Sequence, residues 1–175
     1  MSSPHSSSQT APPELLTLLP EVVAEVAEHA FFAWAAPCKE REFAELVAAN
    51  DTTRSVYAGP ATWLRARVGF RGVVSGSLEV RLPVELAREL GVALTGGSPA
   101  DGLTDHELGD VAGELANMLC GVLLTRVDRH RAFELRPPQV ARLADVREGA
   151  SSSDQNHFFC LNDRPVAVGF GAWEP

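Results

Sequence analysis

The chain has 175 residues, of which 45% are hydrophobic and 22% charged, and this is enough to bury one substantial core. A formal charge of −8, without an uninterrupted cluster of Lys and Arg, argues against a nucleic-acid partner. Three cysteines without CxxC spacing, and no signal-peptide pattern, predict reduced thiols, a cytoplasmic protein and no zinc or redox centre.

The first 36 residues divide into a tail and a helix. Residues 1–12 are rich in Ser and Pro and predict a disordered tail, followed by a single domain over residues 13–175. From Pro13 to about Ala36 apolar residues recur at helical spacing, and Pro37 stands where it would end this first long helix. The apolar stretch around residues 29–36 is shorter than the ~20 residues of a membrane helix, so no membrane insertion is predicted.

The middle of the chain predicts a helix, a hairpin and a second short helix. A helical pattern covers residues 39–54, and a turn follows it at Gly59-Pro60. Residues 61–70 and 73–82 are rich in β-branched and aromatic side chains and predict a β-hairpin. Pro83 at a first helical position then predicts a short helix that Gly91 caps.

A second long helix is the best-defined element. Thr104, followed three residues later by Glu107, forms a capping-box signature, and an amphipathic pattern runs from there to about Val127. Four strands are predicted after it, with a tight turn at Asn162-Asp163: residues 132–135, 139–146, 157–162 and 166–172. Residues 96–102 and 149–155 are predicted loops. The order of elements predicts an α+β fold in which two long helices pack on a largely antiparallel sheet.

The two long helices share a pattern that suggests an internal pseudo-repeat. Residues 21–28 (EVVAEVAE) align with residues 110–117 (DVAGELAN) as acid, apolar pair, acid, apolar pair and polar residue. Amphipathic helices also match by chance at this length, and the pattern alone does not separate duplication from coincidence.

A narrow polar stripe runs along the second long helix. Asp110, Glu114, Asn117 and Gly121 lie within about 60° of one another because their spacings are four, three and four residues. The core-facing side is predicted to hold the apolar residues Leu108, Val111, Leu115, Met118, Leu119, Val122 and Leu123. Asparagine and glycine are both unfavourable inside a helix, so their presence here points to a function, whereas a merely solvated face is the alternative interpretation.

The segment GDVAGELANMLCGVLL, residues 109–124, resembles the helix signature of the CheC, CheX and FliY family of chemotaxis phosphatases. That signature is an acidic or serine residue, then ExxN, then small and apolar positions. Family members also tend to carry a proline some twenty residues past the asparagine, and Pro137-Pro138 stands in that neighbourhood.

The resemblance implies a phosphatase that hydrolyses the aspartyl phosphate of a phosphorylated CheY-like response regulator. Asn117 would position the attacking water and Glu114 would pair with the regulator's active-site lysine. Asp110 would support the contact, and Gly121 would let the partner approach closely. The protein would need no metal or cofactor of its own, because the Mg²⁺ lies in the regulator. Glu28 stands where a second asparagine would be needed, which predicts a single, CheX-like active site.

Two further interpretations stay open. A non-catalytic CheX-like scaffold or adaptor could bind a response regulator without turnover, and an unrelated α+β domain could carry the same stripe without function. The resemblance also implies a homodimer formed by joining sheet edges, for which the terminal strand over residues 166–172 is the predicted edge.

Overall fold

The computed structural model describes residues 13–52, 63–96, 102–128, 132–149 and 155–172. The predicted tail over residues 1–12, the Gly59-Pro60 turn and most of both predicted loops lie outside these ranges. The described helices are α1 Pro13–Phe31, α2 Glu40–Thr52, α3 Val84–Thr95 and α4 Asp105–Val127. The described strands are β1 Ala35–Pro37, β2 Trp63–Arg71, β3 Gly76–Pro83, β4 Glu134–Leu135, β5 Gln139–Leu143, β6 Gln155–Leu161 and β7 Arg164–Gly171.

All the described strands form one antiparallel sheet. The spatial order is β1-β6-β7-β3-β2, and both β4 and β5 pair with the outer side of β2. The long helices α1 and α4 contact each other, and α4 also packs on β2 and β3. The α+β prediction, with two long helices on a largely antiparallel sheet, is therefore confirmed.

The strand order has the two-fold symmetry that an internal repeat would produce. Exchanging β1 with β5, β2 with β6 and β3 with β7 reproduces the same order, with the β3–β7 pair at its centre. In each half a long helix precedes an outer strand and then a hairpin. The helix α2 has no counterpart among the described elements of the second half. The pseudo-repeat is therefore present in the topology, with α1 and α4 as equivalent elements.

The sheet buries both of its faces. One face packs under α1, α3 and α4 in the main core, to which β2 and β3 contribute Leu64, Val68 and Val80. A smaller apolar cluster contains Phe43 of α2, whose ring stacks on Phe158 with centroids 4.4 Å apart. Because both faces are covered, most side chains of β2, β3 and β7 are buried rather than alternately exposed.

The first helix is shorter than predicted, and a strand follows it. The helix α1 ends at Phe31, not near Ala36, because Phe32 adopts a left-handed φ of 52° and the Ala33 N–H donates to Ala27 O at 2.9 Å. Residues after this reversal form β1, which pairs with β6. The sequence offered no glycine or asparagine to mark the reversal, so the continuing apolar pattern was misleading.

The third helix also differs from its prediction at both ends. Pro83 is the extended residue before the helix, with φ −63° and ψ 148°, and not its first helical residue. Gly91 does not cap the helix, which continues to Thr95 and ends with Gly96 at φ 61°. A Cβ at Gly91 would lie only 2.3 Å from Leu103 Cδ1, so this glycine allows close packing rather than a chain reversal.

The predicted dimer edge is wrong. The strand over residues 166–172 corresponds to β7, which pairs with β6 on one side and with β3 on the other. Both of its hydrogen-bonding edges are therefore occupied within the chain. Among the described strands, the outer ones are β1 at one end and β4 with β5 at the other. Homodimerisation itself stays a prediction.

Of the described helices, α4 is long and apolar enough to cross a membrane by length and composition alone. However, 56% of its apolar window is buried inside the fold, and the core helix of a soluble protein passes the same test. The helix is packed against the sheet and two other helices, which accounts for its apolar composition.

Candidate functional site

The helix α4 is fixed at both ends. Thr104 Oγ1 accepts a hydrogen bond from Glu107 N at 3.3 Å, and Glu107 Oε2 accepts one from Thr104 N at 2.7 Å. The Thr104 hydroxyl also donates to Glu107 Oε2 at 2.6 Å, and this bond, together with the one from Thr104 N, lowers the pKa of the Glu107 carboxyl group. At the other end, the Asp128 N–H donates to Leu124 O at 3.1 Å. The predicted capping box and the predicted extent of the helix are confirmed.

The buried side of α4 is wider than predicted. The buried residues also include small ones between the predicted apolar positions: Ala112, Gly113, Ala116 and Cys120. This follows from the packing, because α1, α3 and the sheet all contact the helix. Met118 and Val122, predicted to face the core, are only partly buried and contact the core at its margin.

The predicted stripe lies on the surface of α4. Asp110 and Glu114 are exposed, whereas Asn117 and Gly121 are partly buried. Neither Glu114 nor Asn117 has a hydrogen-bond or ion-pair partner in the part of the chain that the structure describes. Their polar atoms are therefore available to another molecule, and the rigid helix holds them one turn apart.

Asp110 has a partner that the sequence analysis missed. His106 Nδ1 lies 2.9 Å from Asp110 Oδ2, and both side chains are largely exposed. The spacing of four residues on a predicted helix was the signal that could have found this pair. A partner protein that uses Asp110 would have to compete with His106 for the carboxylate.

The proline that follows the helix packs directly beside the stripe. A Cβ at Gly113 would lie 3.1 Å from Pro138 Cγ and 3.6 Å from Val140 Cγ2. The absence of a side chain at Gly113 thus lets the Pro138 ring and β5 approach α4 next to Glu114. This contact gives Pro138, noted in the sequence for its spacing, a definite place at the site.

A groove runs between α1 and α4 and begins at the stripe. We call it the α1–α4 groove, and its volume is about 390 Å³. It is lined by Glu25, Val26, His29 and Ala30 from α1 and by Met118, Gly121 and Val122 from α4. Gly121 belongs to both the stripe and the groove. A Cβ at Gly121 would meet no atom within 4 Å, so the space above this residue is open.

Arg126 joins the two helices beyond the groove. Its Nη1 lies 2.8 Å from Glu21 Oε1, and its Nη2 forms a short contact with Glu25 Oε2. Its side chain is only 25% exposed and is paired with two carboxylates, so Arg126 ties the end of α4 to α1.

The equivalent face of α1 differs from the stripe. Glu25, which aligns with Glu114, is held by Arg126, while Glu28, which aligns with Asn117, is exposed. A carboxylate at this position has no donor when it is ionised, unlike an amide. The α1 face therefore lacks the free carboxylate and amide pair that α4 presents.

Other chemistry-bearing side chains do not converge. Within the described ranges, no three His, Cys, Asp or Glu side chains form a group that could hold a metal ion. All three cysteines are free. Burial raises the pKa of Cys120 to about 12, so its thiol remains protonated at neutral pH.

Comparisons with known proteins agree with this architecture. A structure of the chemotaxis protein CheX from Vibrio vulnificus is 18% identical with a TM-score of 0.65, and the match covers 93% of this chain and 99% of that one. A CheC-like superfamily protein from Shewanella sp. PV-4 is 15% identical with a TM-score of 0.61, covering 93% and 99% of the two chains. FliY from Thermotoga maritima is 12% identical with a TM-score of 0.53, covering 94% and 93%. At these identities the structural matches show the fold.

The family assignment rests on the sequence. A search of curated proteins found no match. The family model described as "Chemotaxis phosphatase CheX" matches residues 64–161, which is more than half of the chain and includes the stripe and Pro138. This chain belongs to the CheX family of chemotaxis phosphatases.

Proposed function

We propose that this chain is a protein aspartyl-phosphate phosphatase that acts on a phosphorylated CheY-like response regulator. The observation that carries the proposal is the pair Glu114 and Asn117. Both lie on one face of the capped helix α4, without an intramolecular partner among the described residues, inside the segment that the CheX family model matches.

The proposed role of Asn117 is to position water. Hydrolysis of an aspartyl phosphate requires a water oxygen in line with the bond between phosphorus and the carboxylate oxygen, which breaks to release inorganic phosphate. An amide can accept a hydrogen bond from that water and donate another, without a charge that repels the phosphoryl oxygens. Mg²⁺ held by the regulator would neutralise those oxygens.

The proposed role of Glu114 is to anchor the regulator. Its carboxylate lies one helical turn before Asn117 and is exposed, so a lysine beside the phosphorylation site can reach it. A charge-assisted hydrogen bond at this position would hold the phosphoryl group opposite the Asn117 amide. Asp110 would supply a weaker, peripheral contact because His106 already binds it.

We also propose a single active site. On α1 the carboxylate equivalent to Glu114 is engaged by Arg126, and Glu28 replaces the asparagine. An ionised carboxylate would repel the phosphoryl oxygens that an amide tolerates. The α1 face thus has neither of the two free groups that the reaction requires.

The test follows loss of aspartyl phosphate from a panel of purified CheY-like receiver domains, phosphorylated with acetyl phosphate and Mg²⁺. We expect the wild-type protein to accelerate decay from at least one of them. Asn117→Ala should lower kcat about 100-fold, since loss of positioning has effects of that order. Glu114→Ala should mainly raise KM, by about tenfold or more.

The matched control is Glu28→Ala, which removes an exposed carboxylate from the equivalent position of α1. It should leave both kinetic constants unchanged within about twofold. If no receiver loses phosphate faster while one binds in its phosphorylated form, the adaptor interpretation replaces the phosphatase. Unchanged kinetics in Asn117→Ala would contradict the role given to the amide.

A cytoplasmic homodimer is part of the proposal. Since β7 is central, the association would have to use an outer strand such as β1 or β5. Light scattering after size-exclusion chromatography should give twice the 18.8 kDa mass of the chain, and a monomer at micromolar concentration would contradict it.

A further inference from the structure

Gly121 has no structural explanation within the described fold. Glycine inside a helix is less stable than alanine, so a glycine kept there normally relieves a close contact. Gly91 and Gly113 do relieve such contacts, because a Cβ at either position would lie 3.1 Å or less from a neighbouring side chain. A Cβ at Gly121 would meet nothing within 4 Å. Because no contact in the described fold requires a glycine here, the space above it is available to a group from outside the chain.

The surroundings of Gly121 show what kind of group would approach it. The α1–α4 groove is lined mainly by apolar side chains, of which Ala30, Met118 and Val122 are partly buried, and its α1 side also carries Glu25 and His29. The Glu25 carboxylate is paired with Arg126, which also pairs with Glu21, so these charges are paired with one another within the chain. An apolar side chain would gain most from entering this space, because it removes apolar surface from water on both sides.

The short distance between Asn117 and Gly121 along α4 indicates which molecule would occupy the α1–α4 groove. Gly121 follows Asn117 by four residues, a rise of about 6 Å along the helix. A protein surface that presents a phosphoryl group to Asn117 therefore also comes close to the groove. Met118 and Gly121, which both line the groove, follow Asn117 by one and four residues on α4.

We propose that the α1–α4 groove receives an apolar side chain from the receiver domain of the phosphorylated regulator, at a position next to its phosphorylation site. This inference rests on the proposed phosphatase function and adds a determinant of specificity to it. Gly121 keeps the groove open, and Met118 forms one wall. Regulators with a charged or polar residue at the facing position would be poor substrates.

Kinetics with variants at Gly121 form the first test, using the receiver that the wild-type protein dephosphorylates. Gly121→Leu would fill the groove and should raise KM about tenfold or more, while kcat stays within about twofold. Gly109→Ala is the control, because it makes a glycine replacement on the same helix, where a Cβ would be 3.6 Å from Val140 Cγ1 and away from the groove. It should leave KM unchanged. Circular dichroism melts confirm that both variants fold.

Methionine NMR provides a second, direct readout. The chain has two methionines, Met1 and Met118, so labelling with methyl-¹³C methionine gives two signals that Met118→Leu assigns. Adding the receiver domain activated with beryllofluoride and Mg²⁺ should shift or broaden the Met118 signal. The same signal should be constant when the protein is diluted without the receiver.

The outcomes separate this inference from the proposed function. A wild-type protein that neither binds nor dephosphorylates any receiver would overturn both. If the wild type dephosphorylates a receiver but Gly121→Leu keeps its KM, or Met118 does not respond to bound receiver, the groove inference alone is wrong. A Met118 signal that changes on dilution would assign the groove to a second copy of the chain and would also overturn it.

Discussion

A buried ion pair in the centre of the sheet predicts that replacing one partner costs more stability than replacing the other. Arg81 and Glu79 lie two residues apart on β3 and point to the same side. Arg81 Nε donates to Glu79 Oε1 at 2.7 Å, and its Nη1 donates to Val146 O at 2.7 Å. The side chain of Arg81 is only 4% exposed, compared with 15% for Glu79. Arg65 Nε lies 3.9 Å from the other Glu79 oxygen and gives that carboxylate a second positive neighbour.

The two partners should therefore differ in their response to removal. Glu79→Leu leaves the buried Arg81 guanidinium without its counter-charge and should reduce the free energy of unfolding by about 3–5 kcal/mol. Arg81→Met leaves Glu79 with a positive neighbour, Arg65, and Glu79 is more exposed than Arg81. The loss of the Arg81 hydrogen bonds to Glu79 and Val146 should therefore reduce the free energy of unfolding by only about 1–3 kcal/mol. Because the double variant strands no charge, it should be more stable than Glu79→Leu alone.

Urea unfolding followed by tryptophan fluorescence and circular dichroism measures these differences, provided that the m-values agree. The reasoning would be refuted if Arg81→Met were more destabilising than Glu79→Leu. It would also be refuted if the double variant lost as much stability as the two single variants together.

Three further predictions concern two helix ends and one buried thiol. Thr104→Ala should lower the free energy of unfolding by about 1 kcal/mol in urea titrations, whereas Thr104→Ser should keep it close to the wild-type value. Equal free energies of unfolding for the two variants would contradict the role of Thr104 as a helix cap. Phe32→Gly should be about 1 kcal/mol more stable than Phe32→Ala, because glycine, unlike alanine, adopts the φ of 52° without strain. Equal stability of the two variants would refute this explanation. Burial raises the pKa of Cys120 from 9.0 to about 12. The protonated thiol therefore contributes fully to the free energy of unfolding below pH 9, and this contribution is lost as the pH rises towards 12. Melting temperatures between pH 8 and 11 should thus fall less in Cys120→Ala, and an identical slope would count against the buried thiol.

The sequence predicted correctly those element ends that depend on neighbouring residues in the chain, such as helix caps and tight turns. The capping box at Thr104 begins α4 as predicted, and Asn162-Asp163 forms the predicted turn with positive φ at both residues. The end of α1 could not be predicted, because Phe32 enters the left-handed region without a residue type that favours it. Gly91 was misread because its role depends on Leu103 and Val111, which reach it only in the folded chain.

The candidate site also has features that the sequence predicts and features that depend on tertiary packing. Helical periodicity was enough to place Glu114 and Asn117 together on the surface side of α4. The pairing of Arg126 with Glu21 and Glu25 was not predictable, since it depends on how α1 packs against α4. The α1–α4 groove has the same origin, which explains why sequence patterns on either helix alone did not reveal it.

The most direct test of the central claim is a single-turnover measurement, in which a saturating concentration of the protein removes any difference in binding. A ³²P-labelled receiver domain is mixed with excess wild-type protein or Asn117→Ala, and the first-order loss of aspartyl phosphate is recorded. We predict fast decay with the wild type and, with Asn117→Ala, a rate close to that of the receiver alone. Decay with saturating Asn117→Ala as fast as with the wild type would contradict the claim that this amide positions the attacking water.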